Sequence, residues 1–227
     1  MSNTIAHLVV ANRILQEWPL LVQNIDAFYL GSVAPDTIGS KAGCSREDKK
    51  RVHLRDGIRD AEWLTDEKMQ LFKERVQNFI DEHILNMSGV QHDFNVGYLV
   101  HLLTDEWNHR TIRQTMLRIA NERDVLESDR EFFYMMTNDL EALDNYLLSS
   151  NEEIAEVLSR MLHQEVNCAL PGYIESSYID GSVQWWKNAY LPNICERELK
   201  YISEGDIARF VDLATKEIIN ELSALLK

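Results

Sequence analysis

The sequence predicts an all-α fold, a single multi-helix domain over residues 1–227. Three observations predict it. Turn formers are scarce: nine glycines and four prolines in 227 residues, well under the roughly 12% of average usage, which disfavours a turn-rich sandwich or barrel. Apolar residues recur at helical spacing in one window after another. No Gly/Ser/Pro-rich linker, repeat period or low-complexity tract divides the chain. With 45% apolar and 26% charged residues, a chain of this length can bury a core without disulfide or metal staples.

The elements follow in order. Residues 4–18 place Ile5, Leu8, Val9, Ile14 and Leu15 at helical spacing, with Thr4 at the N-cap position and Pro19 just beyond. A second apolar stretch covers 20–30. Residues 31–45 hold three of the nine glycines and read as the clearest loop; a long loop inside a compact domain is more often functional than idle. A polar stretch, 46–60, contains His53. Residues 66–86 are amphipathic, with Met69, Phe72, Val76, Phe79 and Ile80 on one side. Residues 92–120 carry the longest helical pattern, and others recur at 127–148, 151–169 and 205–226. Between the last two lies an aromatic-rich connection holding Tyr173, Tyr178, Trp185, Trp186 and Tyr190. This predicts seven or eight helices.

The formal charge is −14. Such a surface repels phosphate backbones and anionic lipid, so no long nucleic acid is expected as partner. A small phosphorylated ligand held by a local cation, a metal among them, stays compatible. Cys44, Cys168 and Cys195 are widely spaced and form no disulfide framework. Residues 1–20 lack a basic n-region and a small-residue cleavage site, and no run of 18 apolar residues forms an integral membrane segment. The expectation is a cytoplasmic protein.

The sharpest chemical feature is His101-Leu-Leu-Thr-Asp105-Glu-Trp-Asn-His109. At i, i+4 and i+8 these side chains lie about 0°, 40° and 80° around a helix, about 6 Å apart per step. Adjacent members can reach one ion, and the helix fixes both before a metal arrives. Alone, such a pair is often a plain surface contact. Here Leu99, Val100, Leu102 and Leu103 flank it, and a carboxylate in apolar surroundings needs a partner. Gly97, one turn upstream, leaves room for another chain segment or a ligand. His7 stands among Ile5, Ala6, Leu8 and Val9, where a satisfied core histidine is the simpler reading. Asp36, in Ala-Pro-Asp-Thr, suits a turn or N-cap, and His53 suits a surface position beside basic residues.

Together, an early-helix His, a Gly-Ser-x-Ala-Pro-Asp loop, a following His and a helical Gly-Tyr-Leu-x-His-Leu-Leu-x-Asp resemble the zinc-dependent phospholipase C and P1/S1 nuclease superfamily, closest to its small bacterial branch. The resemblance covers roughly residues 5–110. It implies an all-α phosphoesterase with a zinc cluster. His7, Asp36, His53, His101 and Asp105 match metal ligands, Asp105 the bridging one and Asp36 also the group proposed as general base. His109 stands near a further zinc-site His. One to two Zn2+ ions are implied, with other divalent metals compatible. The third site's pair, a His with a carboxylate four residues on, has no match: His163 is followed at that distance by Asn167. Asp139 and Asp144 are substitutes that nothing in the sequence selects. Family members that use a free N-terminal amine as a ligand suggest the same for Ser2 once Met1 is removed. The implied substrate is a small phosphoester or a phospholipid head group.

Two other readings compete. His53, the tandem His92-Asp93 and Asp139 follow the order of an HD-type phosphohydrolase, although Asp93 also suits a helix start. A helical binding protein or scaffold retaining a partial metal site is the non-enzymatic alternative, with the Trp185-Trp186 segment as a ligand or partner surface.

Overall fold

A computed structural model describes residues 4–163, 165–193 and 197–226. Among them are ten α-helices and no strand; the nearest to one is a single bridge between Leu170 and Ile174. The helices are α1 (Thr4–Glu17), α2 (Ile25–Gly31), α3 (Arg46–Val52), α4 (Asp66–His83), α5 (Gly89–Asn108), α6 (Gln114–Asn121), α7 (Arg130–Ser149), α8 (Glu152–His163), α9 (Ser176–Trp185) and α10 (Glu204–Leu225).

Helix α5 is the axis of the fold. It is buried from Asp93 to Thr104 without a break, as a helix apolar on all sides must be. Helices α1, α2, α4 and α10 pack around it. Helices α7 and α8 form an outer layer against α1. The long helical pattern of 92–120 is realised as α5, a π turn at His109–Arg113 and α6 in direct succession.

Two glycines set the closest crossing. A Cβ on Gly97 of α5 would overlap the Phe28 carbonyl oxygen of α2, and one on Gly31 of α2 would overlap the Phe94 carbonyl oxygen of α5. The space left at Gly97 is therefore taken by chain, the first of the two alternatives read from the sequence. Backbones in contact at this point bring the residue after α2, Ser32, against the middle of α5.

Three expectations change. The 31–45 loop contains a 3-10 turn, Ala34–Ser40, started by Pro35, whose fixed φ suits a first helical position. The 151–169 pattern stops as helix at His163. The aromatic connection of 171–192 is largely helical: it contains α9 and a π turn, Trp186–Tyr190. Gly181 weakens the helical signal there, yet it is where α9 meets the Ala34–Ser40 turn, a Cβ lying 3.1 Å from the Ser40 Cβ. Ser182 on α9 bonds Ser40 at 2.8 Å and donates to the Thr37 carbonyl. Helix α9 thus braces the turn that carries Asp36. Trp186 is buried and packs this segment on the core, whereas Trp185 is half exposed and stacks on Tyr190. Cys168 is buried and free, Cys44 is free, and Cys195 lies outside the described residues.

Candidate metal centre

Five side chains from four elements converge. His7 comes from α1, Asp36 from the 3-10 turn, His53 from the C-cap of α3, and His101 and Asp105 from α5. Two triads, His7–His101–Asp105 and Asp36–His53–His101, each offer ligand atoms within 4.8 Å of one another. His101 belongs to both. The separations are 3.5 Å from His7 Nε2 to Asp105 Oδ1, 3.4 Å from His53 Nε2 to Asp36 Oδ1, and 3.6 and 3.7 Å from Asp105 Oδ2 to His53 and His101 Nε2. A tetrahedral ion with ligands at 2.0–2.1 Å holds them about 3.3 Å apart, so these edges are those of a metal polyhedron slightly expanded.

Tautomers strengthen the case. His101 Nδ1 lies 2.9 Å from the Ser32 carbonyl and His53 Nδ1 lies 2.7 Å from the Lys49 carbonyl. A carbonyl only accepts, so both Nδ1 atoms donate, and each neutral ring keeps its lone pair on Nε2. These two Nε2 atoms face each other at 3.2 Å. Two lone pairs so close are accommodated by a metal ion between or beside them, or by a proton on His53, whose imidazole is raised by Asp36 and Asp105 against burial. Carbonyl-fixed imidazoles of this kind are how metal-binding histidines are oriented. His7 stacks on His101 with ring centroids 3.8 Å apart, and His7 Nδ1 and Asp36 Oδ2 are buried without a hydrogen-bond partner. The donor set fits zinc, which takes imidazole and carboxylate together.

The electrostatics agree. Burial, with His7 next to it, drops the His101 imidazole to about 3, so it is neutral and ready to ligate. Burial works to raise the Asp36 carboxyl, but His101 and the hydrogen bond with His53 prevail and hold it well below the usual carboxylate range. Asp105 is also lowered, by His7 and His101 against burial. Both carboxylates are ionised at neutral pH.

A model of the family described as zinc dependent phospholipase C matches residues 6–157, well over half of the chain. The chain belongs to the zinc-dependent phospholipase C family. Zinc is its cofactor, and the family is one of phosphoesterases acting on a small phosphoester or lipid. Comparison with curated proteins and with solved structures gives no match. The matched span contains all five converging residues and extends past the 5–110 region legible from motifs. No helix among the described residues is long and apolar enough to cross a membrane.

His109 joins neither triad. Eight residues past His101 it has turned about 80° off that face, and it opens the π turn against Trp63, ring centroids 4.8 Å apart. The spare carboxylates are engaged elsewhere. Asp139 accepts from the backbone N–H groups of Lys200, Tyr201 and Ile202. Asp144 accepts from the Ala6 N–H and the Tyr190 hydroxyl, and burial raises it to about 7. His163 is exposed and bonds the Ser159 carbonyl of its own helix. Ser2 lies outside the described residues.

The HD tandem has a structural task. Asp93 Oδ2 accepts from the Gln23 and Asn24 N–H groups at 3.0 and 2.6 Å, and Oδ1 faces His92 Nδ1 at 2.9 Å. It anchors the entry to α2. Asp93→Ala is expected to cost about 1 kcal/mol by leaving the partly buried Gln23 and Asn24 amides without their acceptor, with zinc content unchanged. Denaturant unfolding and elemental analysis check both, and zinc loss without destabilisation would favour the HD reading.

Sequence reasoning missed the Ser32 and Lys49 carbonyls, which have no side-chain signature, and the basic wall above the triads. A cavity of about 320 Å³ opens over Asp36, His53 and Asp105, and Arg46, Lys49, Lys50, Arg55 and Arg113 line it.

Proposed function

We propose that the protein hydrolyses phosphoesters with zinc held by His7, Asp36, His53, His101 and Asp105, His101 and Asp105 lying between the two positions. The facing Nε2 atoms of His53 and His101, each fixed by a carbonyl, are the observation that carries this reading. When bound, zinc supplies Lewis acidity at a phosphoryl oxygen and makes water nucleophilic at neutral pH. Asp36 does the positioning. Its Oδ2 has no partner, its carboxyl is ionised, and it lines the cavity, so it can accept a hydrogen bond from the attacking water and hold it in line. His7 and His101, stacked and buried, exclude bulk water from one side. The basic wall attracts the phosphoester into a site on an otherwise acidic chain.

The test is a panel of chromogenic phosphomonoesters and diesters with zinc-loaded protein, before and after chelation. Chelator-sensitive hydrolysis restored by zinc is the expected result. Asp36→Asn keeps the shape and removes the charge; kcat is expected to fall about 10²–10⁴-fold while KM changes little. Zinc-loaded protein inert on every ester would refute the hydrolase and favour a binding protein with a metal site.

Affinity for zinc carries a pH signature. His53 is raised above its ordinary value, because Asp36 and Asp105 outweigh burial. A proton therefore competes with the metal for Nε2 up to a higher pH than at a free imidazole. Zinc affinity is expected to fall by about tenfold per pH unit for each proton displaced as pH drops through that value. Competition titrations between pH 6 and 8 measure it, and a flat profile would remove His53 from the ligand set.

A further inference from the structure

We propose a second anion subsite on the wall of the same cavity, built on Arg55 and Arg113, so that the preferred substrates are phosphoesters bearing a second phosphate or carboxylate. The inference rests on the hydrolase reading above for its first phosphate only. On a chain of net charge −14, the cavity is lined by five cations against the three carboxylates Asp36, Asp60 and Asp105. Two of these three sit at the triads, which leaves Asp60, paired with Arg55 and Arg46, as the one other carboxylate lining the cavity among the described residues.

The two arginines are held rather than free. Arg55 pairs with Asp60 and stacks on Trp63, its guanidinium carbon 3.9 Å from the ring centre. Arg113 pairs with Glu127. Yet each leaves a buried Nε–H without an acceptor among the described residues. A donor fixed in place, buried and unsatisfied beside a cavity is a site for an anionic oxygen. His109 lines the same cavity, held down at about 4 by burial and then by Arg113 and Arg55. The π turn sets the geometry: Arg113 ends it, about 12 Å along the rod from Asp105, and helical side chains lean back toward the N-terminus, here toward the triads. Wide turns of this kind inside helices recur at functional sites.

The same wall disfavours a choline head group. A quaternary ammonium binds an open aromatic face. Trp63 is the only tryptophan, tyrosine or phenylalanine on this wall among the described residues, and Arg55 covers its face.

The experiment compares three 4-nitrophenyl phosphodiesters whose second alcohol is ethanol, choline or 2-phosphoethanol. The phosphate-tailed ester is expected to exceed the choline ester in kcat/KM by about tenfold or more, with the gap closing at high salt. Arg113→Gln and Arg55→Gln are expected to raise KM for the phosphate-tailed ester about tenfold and that of the ethyl ester by a clearly smaller factor, and lysine at either position to restore part. Detergent-dispersed phosphatidylinositol phosphate beside phosphatidylcholine tells a lipid source of the second phosphate from a soluble one. A choline ester cleaved as well as the phosphate-tailed one, with a KM indifferent to both substitutions, would overturn the subsite.

Calorimetry separates this from failure of the hydrolase reading. Zinc-loaded wild-type protein is expected to bind 1,3-propanediol bisphosphate at least about tenfold more tightly than the monophosphate, whether or not any ester is cleaved. Equal affinities would overturn the subsite on their own.

Discussion

His101→Ala is expected to empty the metal centre completely, whereas His109→Ala leaves it loaded. His101 is the member common to both triads. Removing a group that merely orients a ligand costs about 10–100-fold in metal affinity, and loss of a shared ligand exceeds that. The substitution also strands the Ser32 carbonyl, which now accepts from His101 Nδ1 at 2.9 Å, at about 1–3 kcal/mol. Zinc per chain by elemental mass spectrometry, beside circular dichroism to confirm the helices, separates the variants. Full zinc retention in His101→Ala would mean the metal sits elsewhere, and zinc loss in His109→Ala would restore that residue to the ligand set.

Gly97→Ala is expected to be among the most damaging small substitutions in the chain. In an open helix alanine is better than glycine by about 1 kcal/mol. Here the new methyl would overlap the Phe28 carbonyl oxygen and stand 2.9 Å from the Ser32 nitrogen. Both are backbone and cannot rotate aside, so the cost falls at the upper end of overpacking, about 3 kcal/mol. For a chain of this size that lowers Tm by roughly 6–12 °C. Zinc affinity is expected to weaken too, because α2 must move and Ser32 aims His101. Gly205→Ala is the control: its Cβ would meet only the Ser203 hydroxyl, at 3.6 Å, and a neutral or slightly raised Tm is expected. An unchanged Tm in Gly97→Ala would show that α2 and α5 can separate freely.

The helices were legible where burial is one-sided. Helix α4 shows Phe72, Val76, Phe79 and Ile80 on one stripe, and α10 shows Ile207, Phe210, Val211 and Ile218. Helix α9 was not, because Gly181 serves a close approach to another element rather than local propensity. Order and spacing singled out His7, Asp36, His53, His101 and Asp105, which the fold brings together, and the glycine crossing of α2 on α5 sets Ser32 against His101. His109 lies outside both triads because i+8 spacing drifts around a helix. The groups that fix the imidazole tautomers are main-chain carbonyls, and any residue can supply one, so no side chain announces them. Nothing in the sequence singles out Arg55 and Arg113; the fold places them on one wall.

The proposed ligands come from both ends of a long stretch of chain, His7 in the first helix and Asp105 in the fifth. An ion joining them acts as a reversible cross-link. Closing a loop of about 100 residues confers about 4.7 kcal/mol in the chain-entropy treatment of a covalent bridge, a sizeable share of the 5–15 kcal/mol that holds a domain folded. Metal starvation would then be felt first as turnover: the chain would be exposed to proteases before it accumulated as a folded, silent protein. Cellular abundance would track zinc supply, with no regulator needed beyond the fold itself.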